Sequence, residues 1–118
     1  MNQTAHLLTT DVPRDISIDD LYDNWQRLAD DELIVDIRSP DDYRQAHVPG
    51  SRNIPFATVT GRSHELTPYR RIYFYCYGGK GSTAIATKLT EMGFDNLCYV
   101  GRAGLSEWQS QGYPVDAL

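Results

Sequence analysis

The chain has 118 residues, a length that forms one domain with a core of its own. Its 41% hydrophobic and 23% charged residues make it globular rather than disordered, and no apolar run approaches the ~20 residues that span a bilayer. The net charge of −5 argues against nucleic acid or a membrane as partner, and the two cysteines, Cys76 and Cys98, neither build a metal cluster nor follow a CxxC spacing.

Residues 1–15 are polar and mixed, and Pro13 breaks any helix there. They read as an N-terminal tail leading to a short first strand near Ile16, with the domain proper over 16–118. No lysine or arginine precedes the apolar pair Leu7-Leu8, so no secretory signal is read and the expected setting is cytoplasmic. Ser17-Ile18-Asp19-Asp20 has the form of a capping box. Ile18, Leu21, Tyr22, Trp25 and Leu28 then fall on one face of a helix running to about Ala29. Leu33-Ile34-Val35-Asp36-Ile37 reads as a buried parallel strand ending at two polar residues, Asp36 and Arg38.

Ser39-Pro40-Asp41-Asp42 supplies an N-cap, a proline at N1 and first-turn acids for a short helix to about Ala46. His47-Val48-Pro49-Gly50 is a turn, and Arg52-Asn53-Ile54-Pro55 a short strand closed by proline. Residues 56–68 read as a helical turn near 56–59, then a polar loop through Gly61, Arg62, Ser63 and His64. A central strand covers 71–75. The next helix, from about Ser82, carries Ile85, Ala86, Leu89 and Met92 on one face and stops at Gly93. Residues 96–100 form another buried strand, 101–104 a turn, and a last helix from about Leu105 carries Trp108 and ends at Gly112.

Strands and helices alternate throughout, which predicts an α/β fold with a mostly parallel central sheet of about five strands flanked by helices. Ligands bind such sheets at the C-terminal ends of the strands. That rule gathers Asp36, Arg38, the segment after Tyr75 and residues 101–104 on one rim.

Tyr75-Cys76-Tyr77-Gly78-Gly79-Lys80-Gly81-Ser82 is the stretch richest in chemistry. A cysteine there stands where a strand meets a helix N-terminus, a place that collects backbone N–H groups and favours a thiolate. The glycines allow a tight turn with N–H groups facing inward. A structural cysteine before an ordinary turn is the alternative. A cradled thiolate can attack sulfur, phosphorus or arsenic, and the loop then stabilises the anion formed. Lys80 and Arg38 add positive charge if the loop faces the end of the first buried strand. No G-x-S-x-G, H-E-x-x-H or phosphate-loop pattern competes. Phosphoryl transfer by cysteine uses an arginine six residues on, and Ser82 stands there instead.

The remaining candidates read mainly as structure. Arg38 is weighed as an ion-pair partner against a direct substrate contact. His47 is a turn histidine, Cys98 a small buried hydrophobe, and Trp25 and Trp108 are core. Tyr77 is an exposed aromatic suited to a pocket mouth. Asp19, Asp20, Asp41 and Asp42 suit helix dipoles, so no metal site is implied.

Three segments, in order, carry a resemblance. Val35-Asp36-Ile37-Arg38 with Asp42-Tyr43 and His47-Val48-Pro49-Gly50-Ser51-Arg52-Asn53-Ile54-Pro55 is the first. The second runs from Tyr75-Cys76 to Met92-Gly93-Phe94, and the third from Gly101 through Trp108 to Gly112-Tyr113-Pro114-Val115. Together they resemble the single-domain rhodanese (thiosulfate sulfurtransferase-like) family, from about Ile16 to Val115. The resemblance implies a rhodanese-like three-layer fold and sulfane-sulfur transfer through a persulfide on Cys76, from a donor such as thiosulfate to cyanide or a thiol. The backbone of Tyr77, Gly78, Gly79, Lys80, Gly81 and Ser82 then holds the persulfide. The loop has the sulfurtransferase length of six residues; related phosphatases have one more. Many members carry arginine where this chain has Gly81, and Lys80 is the nearest cation. The implied partners are a small-molecule sulfur donor and acceptor, or a thiol or protein acceptor, with no cofactor and a monomer or weak dimer. A sulfur-carrier or persulfide-sensing module is the second reading, and a cysteine phosphatase or arsenate reductase the third.

Overall fold

Five short parallel strands carry the buried apolar runs, in the order β1-β5-β4-β2-β3. A computed structural model of the chain describes residues 13–118. The strands are β1 (Arg14–Asp15), β2 (Glu32–Asp36), β3 (Arg52–Asn53), β4 (Arg71–Tyr75) and β5 (Leu97–Tyr99). Between them lie α1 (Ile18–Gln26), α2 (Pro40–Gln45), α3 (Lys80–Glu91) and α4 (Leu105–Ser110). The α/β fold with a parallel five-strand sheet is therefore as expected. No helix among the described residues is long and apolar enough to cross a membrane.

The period-two alternation of the strands sorts the core into two layers. Leu33, Val35, Ile72, Phe74 and Leu97 face one side, where Ile85 and Leu89 of α3 cover them. Ile34, Tyr73, Tyr75 and Cys98 face the other, covered by Leu21 of α1 and Trp108 of α4. Cys76 packs in the first layer and Cys98 in the second, so the sheet stands between the two thiols. Trp25 and Trp108 are core residues whose indole N–H groups donate to the Pro49 and Pro114 carbonyls at 2.8 and 2.6 Å.

Several boundaries differ from the sequence expectation, each for a local reason. The expected tail lies outside the described residues as far as residue 12. Arg14 and Asp15 already pair with Cys98 and Tyr99 as strand β1, and the Ile16 N–H extends that pairing to the Tyr99 carbonyl at 2.8 Å. α1 has the predicted capping box at Ser17 but ends at Gln26; Arg27 and Leu28 continue only as tight turns to the Asn24 and Trp25 carbonyls. Residues 60–65, expected as a polar loop, are a kinked 3-10 segment following a first one at Phe56–Thr58. Buried Val59 and Leu66 pin its two ends, and Arg62 pairs with Glu65 at 2.7 Å, contacts that polar composition does not reveal.

Candidate active site

The strand β4 is buried at every residue but its first, and it ends by delivering Cys76 to the rim. Gly79 follows with φ +106°, the left-handed turn that only glycine adopts freely. Glycine is demanded there twice, because a Cβ would stand 2.2 Å from the Gly101 carbonyl oxygen. Gly79 caps α3, which begins at Lys80 rather than near Ser82. The sequence pattern hides those first residues because Gly81 lowers local helix propensity.

This early start determines which donors reach the sulfur. The first intrahelical N–H of α3 is that of Thr83, bonded to the Gly79 carbonyl at 3.0 Å. The N–H groups before it are the ones a helix N-terminus leaves without internal partners. The Gly79 N–H donates to Cys76 Sγ at 3.2 Å. Burial alone pushes the Cys76 thiol up. The Ser82 hydroxyl and the N–H groups of Ser82, Gly79 and Gly78 outweigh it and hold the pKa below the ordinary cysteine value. The Ser82 hydroxyl is buried and has no other hydrogen-bond partner, so it is free to donate to an anion on the sulfur.

A second strand-to-helix turn braces this loop from behind. The Leu105 N–H donates to the Cys76 carbonyl at 3.1 Å. Gly104 lies so close that a Cβ there would fall 1.8 Å from the Tyr77 carbonyl oxygen and 2.1 Å from that of Cys76. The Gly101 N–H is in turn tied to Asp15 Oδ1 at 3.0 Å.

In front of the thiol is an open pocket of about 390 Å³, walled by Ile37, Phe56, Gly81, Lys80 and Tyr77. Arg38 also reaches it, but its Nε lies 3.1 Å from both carboxylate oxygens of Asp36, and its Nη2 donates to Asp36 Oδ2 at 2.8 Å and the Ala46 carbonyl at 2.5 Å. Burial opposes the Arg38 charge; the hydrogen bond and charge of Asp36 more than offset it, so the guanidinium pKa is raised. Asp36 also accepts the Tyr75 hydroxyl at 2.5 Å, and burial together with that carboxylate pushes the Tyr75 pKa upward. The guanidinium carbon lies 5.4 Å from the ring centre of Tyr77, a cation–π distance, and Tyr77 itself is 56% exposed. Cys76, Gly78, Gly79, Gly81 and Ser82 thus surround the sulfur, Lys80 and Tyr77 stand at the mouth, and Arg38 is held chiefly by Asp36.

Comparison with known proteins decides the family. The profile described as "Rhodanese-like domain" matches residues 18–111. The chain belongs to the rhodanese family. The rhodanese domain is 33% identical over 85 residues to the putative sulfur carrier protein YrkF of Bacillus subtilis, covering 70% of this chain and 45% of that protein. It therefore spans less than half the length of that relative. It is 32% identical over 81 residues to the thiosulfate sulfurtransferase GlpE of Pseudoalteromonas translucida, covering 69% of this chain and 76% of that one. Among solved structures, the rhodanese-related protein of Thermoplasma volcanium superposes with a TM-score of 0.72 at 27% identity, covering 87% of this chain and 97% of that one.

Two walls of the rhodanese pocket, Ile37 and Phe56, are absent from the sequence-derived site. Ile37 reads as the last apolar residue of a strand. Phe56 follows Ile54-Pro55 and is 47% exposed; an aromatic left uncovered after a proline-terminated strand is the one available signal. Gly104 was placed on the rim, but its contact with the nucleophile's backbone is tertiary and has no local signature. His47 lies away from the pocket: its Nδ1 donates to the Tyr43 carbonyl at 2.6 Å and its ring stacks on Tyr43 at 3.8 Å.

Proposed function

We propose that this rhodanese domain moves sulfane sulfur through a persulfide on Cys76. The observation that carries the reading is the convergence of the Gly78, Gly79 and Ser82 N–H groups and the Ser82 hydroxyl on one sulfur whose pKa is lowered. The Cys76 thiolate attacks the outer sulfur of a donor such as thiosulfate. A bond forms between Sγ and that sulfur, the donor's S–S bond breaks, and its electron pair leaves with sulfite. The terminal persulfide anion then takes the N–H cradle and the Ser82 hydroxyl as its donors. A thiophilic acceptor, cyanide or a thiolate, attacks the terminal sulfur and releases the Cys76 thiolate. Both steps balance without a proton donor or a redox partner.

A sulfur-carrier role with a protein acceptor is the second reading. It is favoured by the exposure of Tyr77 and Phe56 at 56% and 47% beside the thiol, and by the similarity to a putative sulfur carrier. In both readings the setting is cytoplasmic and the acceptor is a thiol or cyanide rather than a nucleic acid.

Intact mass after incubation with thiosulfate tests the proposal. The expected result is a gain of one sulfur atom, removed by cyanide with formation of thiocyanate. An adduct only from a persulfidated protein selects the carrier reading. A Cys76→Ser protein that still forms thiocyanate overturns the assignment of the nucleophile.

A further inference from the structure

We propose that the substrate carries its sulfane sulfur on an apolar organic group, and that Gly81 makes the room for that group. The inference rests on the sulfur-transfer reading and assigns its substrate class.

A Cβ on Gly81 would stand 3.2 Å from Ile37 Cδ1, 3.6 Å from Phe56 Cδ1 and 3.7 Å from Cys76 Sγ. The missing side chain therefore leaves a gap where the apolar wall meets the nucleophile. Whatever is bonded to the transferred sulfur must enter that gap as the sulfur reaches Sγ. Its neighbours there are a methyl group and an uncovered aromatic ring, surfaces that favour hydrocarbon over a hydrated anion. The whole pocket, at about 390 Å³, falls within the ~300–1,000 Å³ typical of small organic ligands. The sulfonate end of thiosulfate would fill little of it.

Charge points the same way. Thiosulfate is a dianion, best held by a bidentate guanidinium. Arg38 has its Nε and Nη2 on Asp36 and the Ala46 carbonyl, and the Asp36 carboxylate balances its charge. Lys80 is the other cation at the pocket, and it is exposed to solvent. An organic thiosulfonate has one negative charge, which the N–H cradle takes, and an apolar body, which the gap takes. The step balances: the Cys76 thiolate bonds the outer sulfur, the bond from that sulfur to the sulfonyl breaks, and the pair departs with an organic sulfinate. An organic persulfide reacts in the same way and releases a thiolate.

The test follows Cys76 persulfide formation by intact mass with thiosulfate, methanethiosulfonate and benzenethiosulfonate. Native protein is compared with Gly81→Ala and Phe56→Ala. Gly81 lies in α3 without a positive φ, so alanine fits its backbone, and Phe56 is half exposed, so both variants keep the fold. Ratios between proteins cancel each donor's intrinsic reactivity. The rate ratio of benzenethiosulfonate to methanethiosulfonate should fall at least about fivefold in both variants, while thiosulfate changes by less than about twofold. Equal changes for all three donors, or an unchanged ratio, overturn the inference and leave sulfur transfer standing. No sulfur on Cys76 from any donor overturns sulfur transfer itself, and the inference with it.

Discussion

The Leu105 N–H donates to the carbonyl of Cys76 at 3.1 Å, so the nucleophile's backbone is bonded to the first residue of the last helix. Gly104 permits this approach by having no side chain. Gly104→Ala must push two carbonyl groups aside, and overpacking of this kind costs about 3 kcal/mol. Urea unfolding should register that loss together with loss of persulfide formation. Gly78→Ala is the control: its Cβ meets nothing within 4 Å and should leave stability within about 0.5 kcal/mol.

Thiolate stabilisation at Cys76 has a pH signature. Alkylation by iodoacetamide should reach half its maximal rate below the ~8.5 of free cysteine. Ser82→Ala removes the hydroxyl donor and should move that midpoint upward. Cys98, 4% exposed and with its pKa raised by burial, should react only on unfolding.

The same shift links folding to pH. A folded pKa below the unfolded value adds stability that is present above the unfolded pKa and lost as pH falls through the folded one. The stability advantage of native protein over Cys76→Ser should therefore grow between pH 7 and pH 9.5 in paired urea titrations, about the ~8.5 of an unfolded cysteine. An advantage that shrinks over this range would contradict the direction assigned to Cys76.

Asp36 is fully buried and accepts from both Arg38 and Tyr75. Asp36→Ala leaves a buried guanidinium without its counter-charge, a loss of about 3–5 kcal/mol. Thermal unfolding should show it, and replacing Arg38 with Met in the same protein should recover part of the loss.

Lys80 offers an exposed charge to an anionic donor. Lys80→Ala should slow persulfide formation from thiosulfate about twofold to fivefold, the scale of an exposed ionic contact, and spare alkylation by neutral iodoacetamide. High salt should erase the difference. Equal slowing in both assays would count against a charge role.

The parts of this molecule legible in its sequence are those with local causes. Ser17 caps α1 as its capping box demands, and the apolar runs of β2 and β4 are buried. Cys76 precedes its glycine turn in plain view. What was hidden depends on neighbours distant in the chain. Gly81 looks like a helix breaker until Ile37 and Phe56 are seen across from it. Arg38 looks like a free cation until Asp36 takes its fork of donors. Residues 60–65 look like a loop because the residues that hold them, Val59 and Leu66, flank the polar stretch rather than interrupt it.

The bracing of the cradle bears on when the thiol becomes reactive. Gly101, which crowds Gly79, is held by Asp15 from 86 positions earlier in the chain, and Gly104 and Leu105 follow the cysteine by more than twenty residues. A ribosome makes Cys76 well before it makes its supports, and pairings this distant in sequence close late. Until they close, the sulfur is an ordinary thiol, mostly protonated at neutral pH. The fold thereby times its own chemistry, withholding a nucleophilic thiolate from a nascent chain and releasing it once the two ends of the sheet have met.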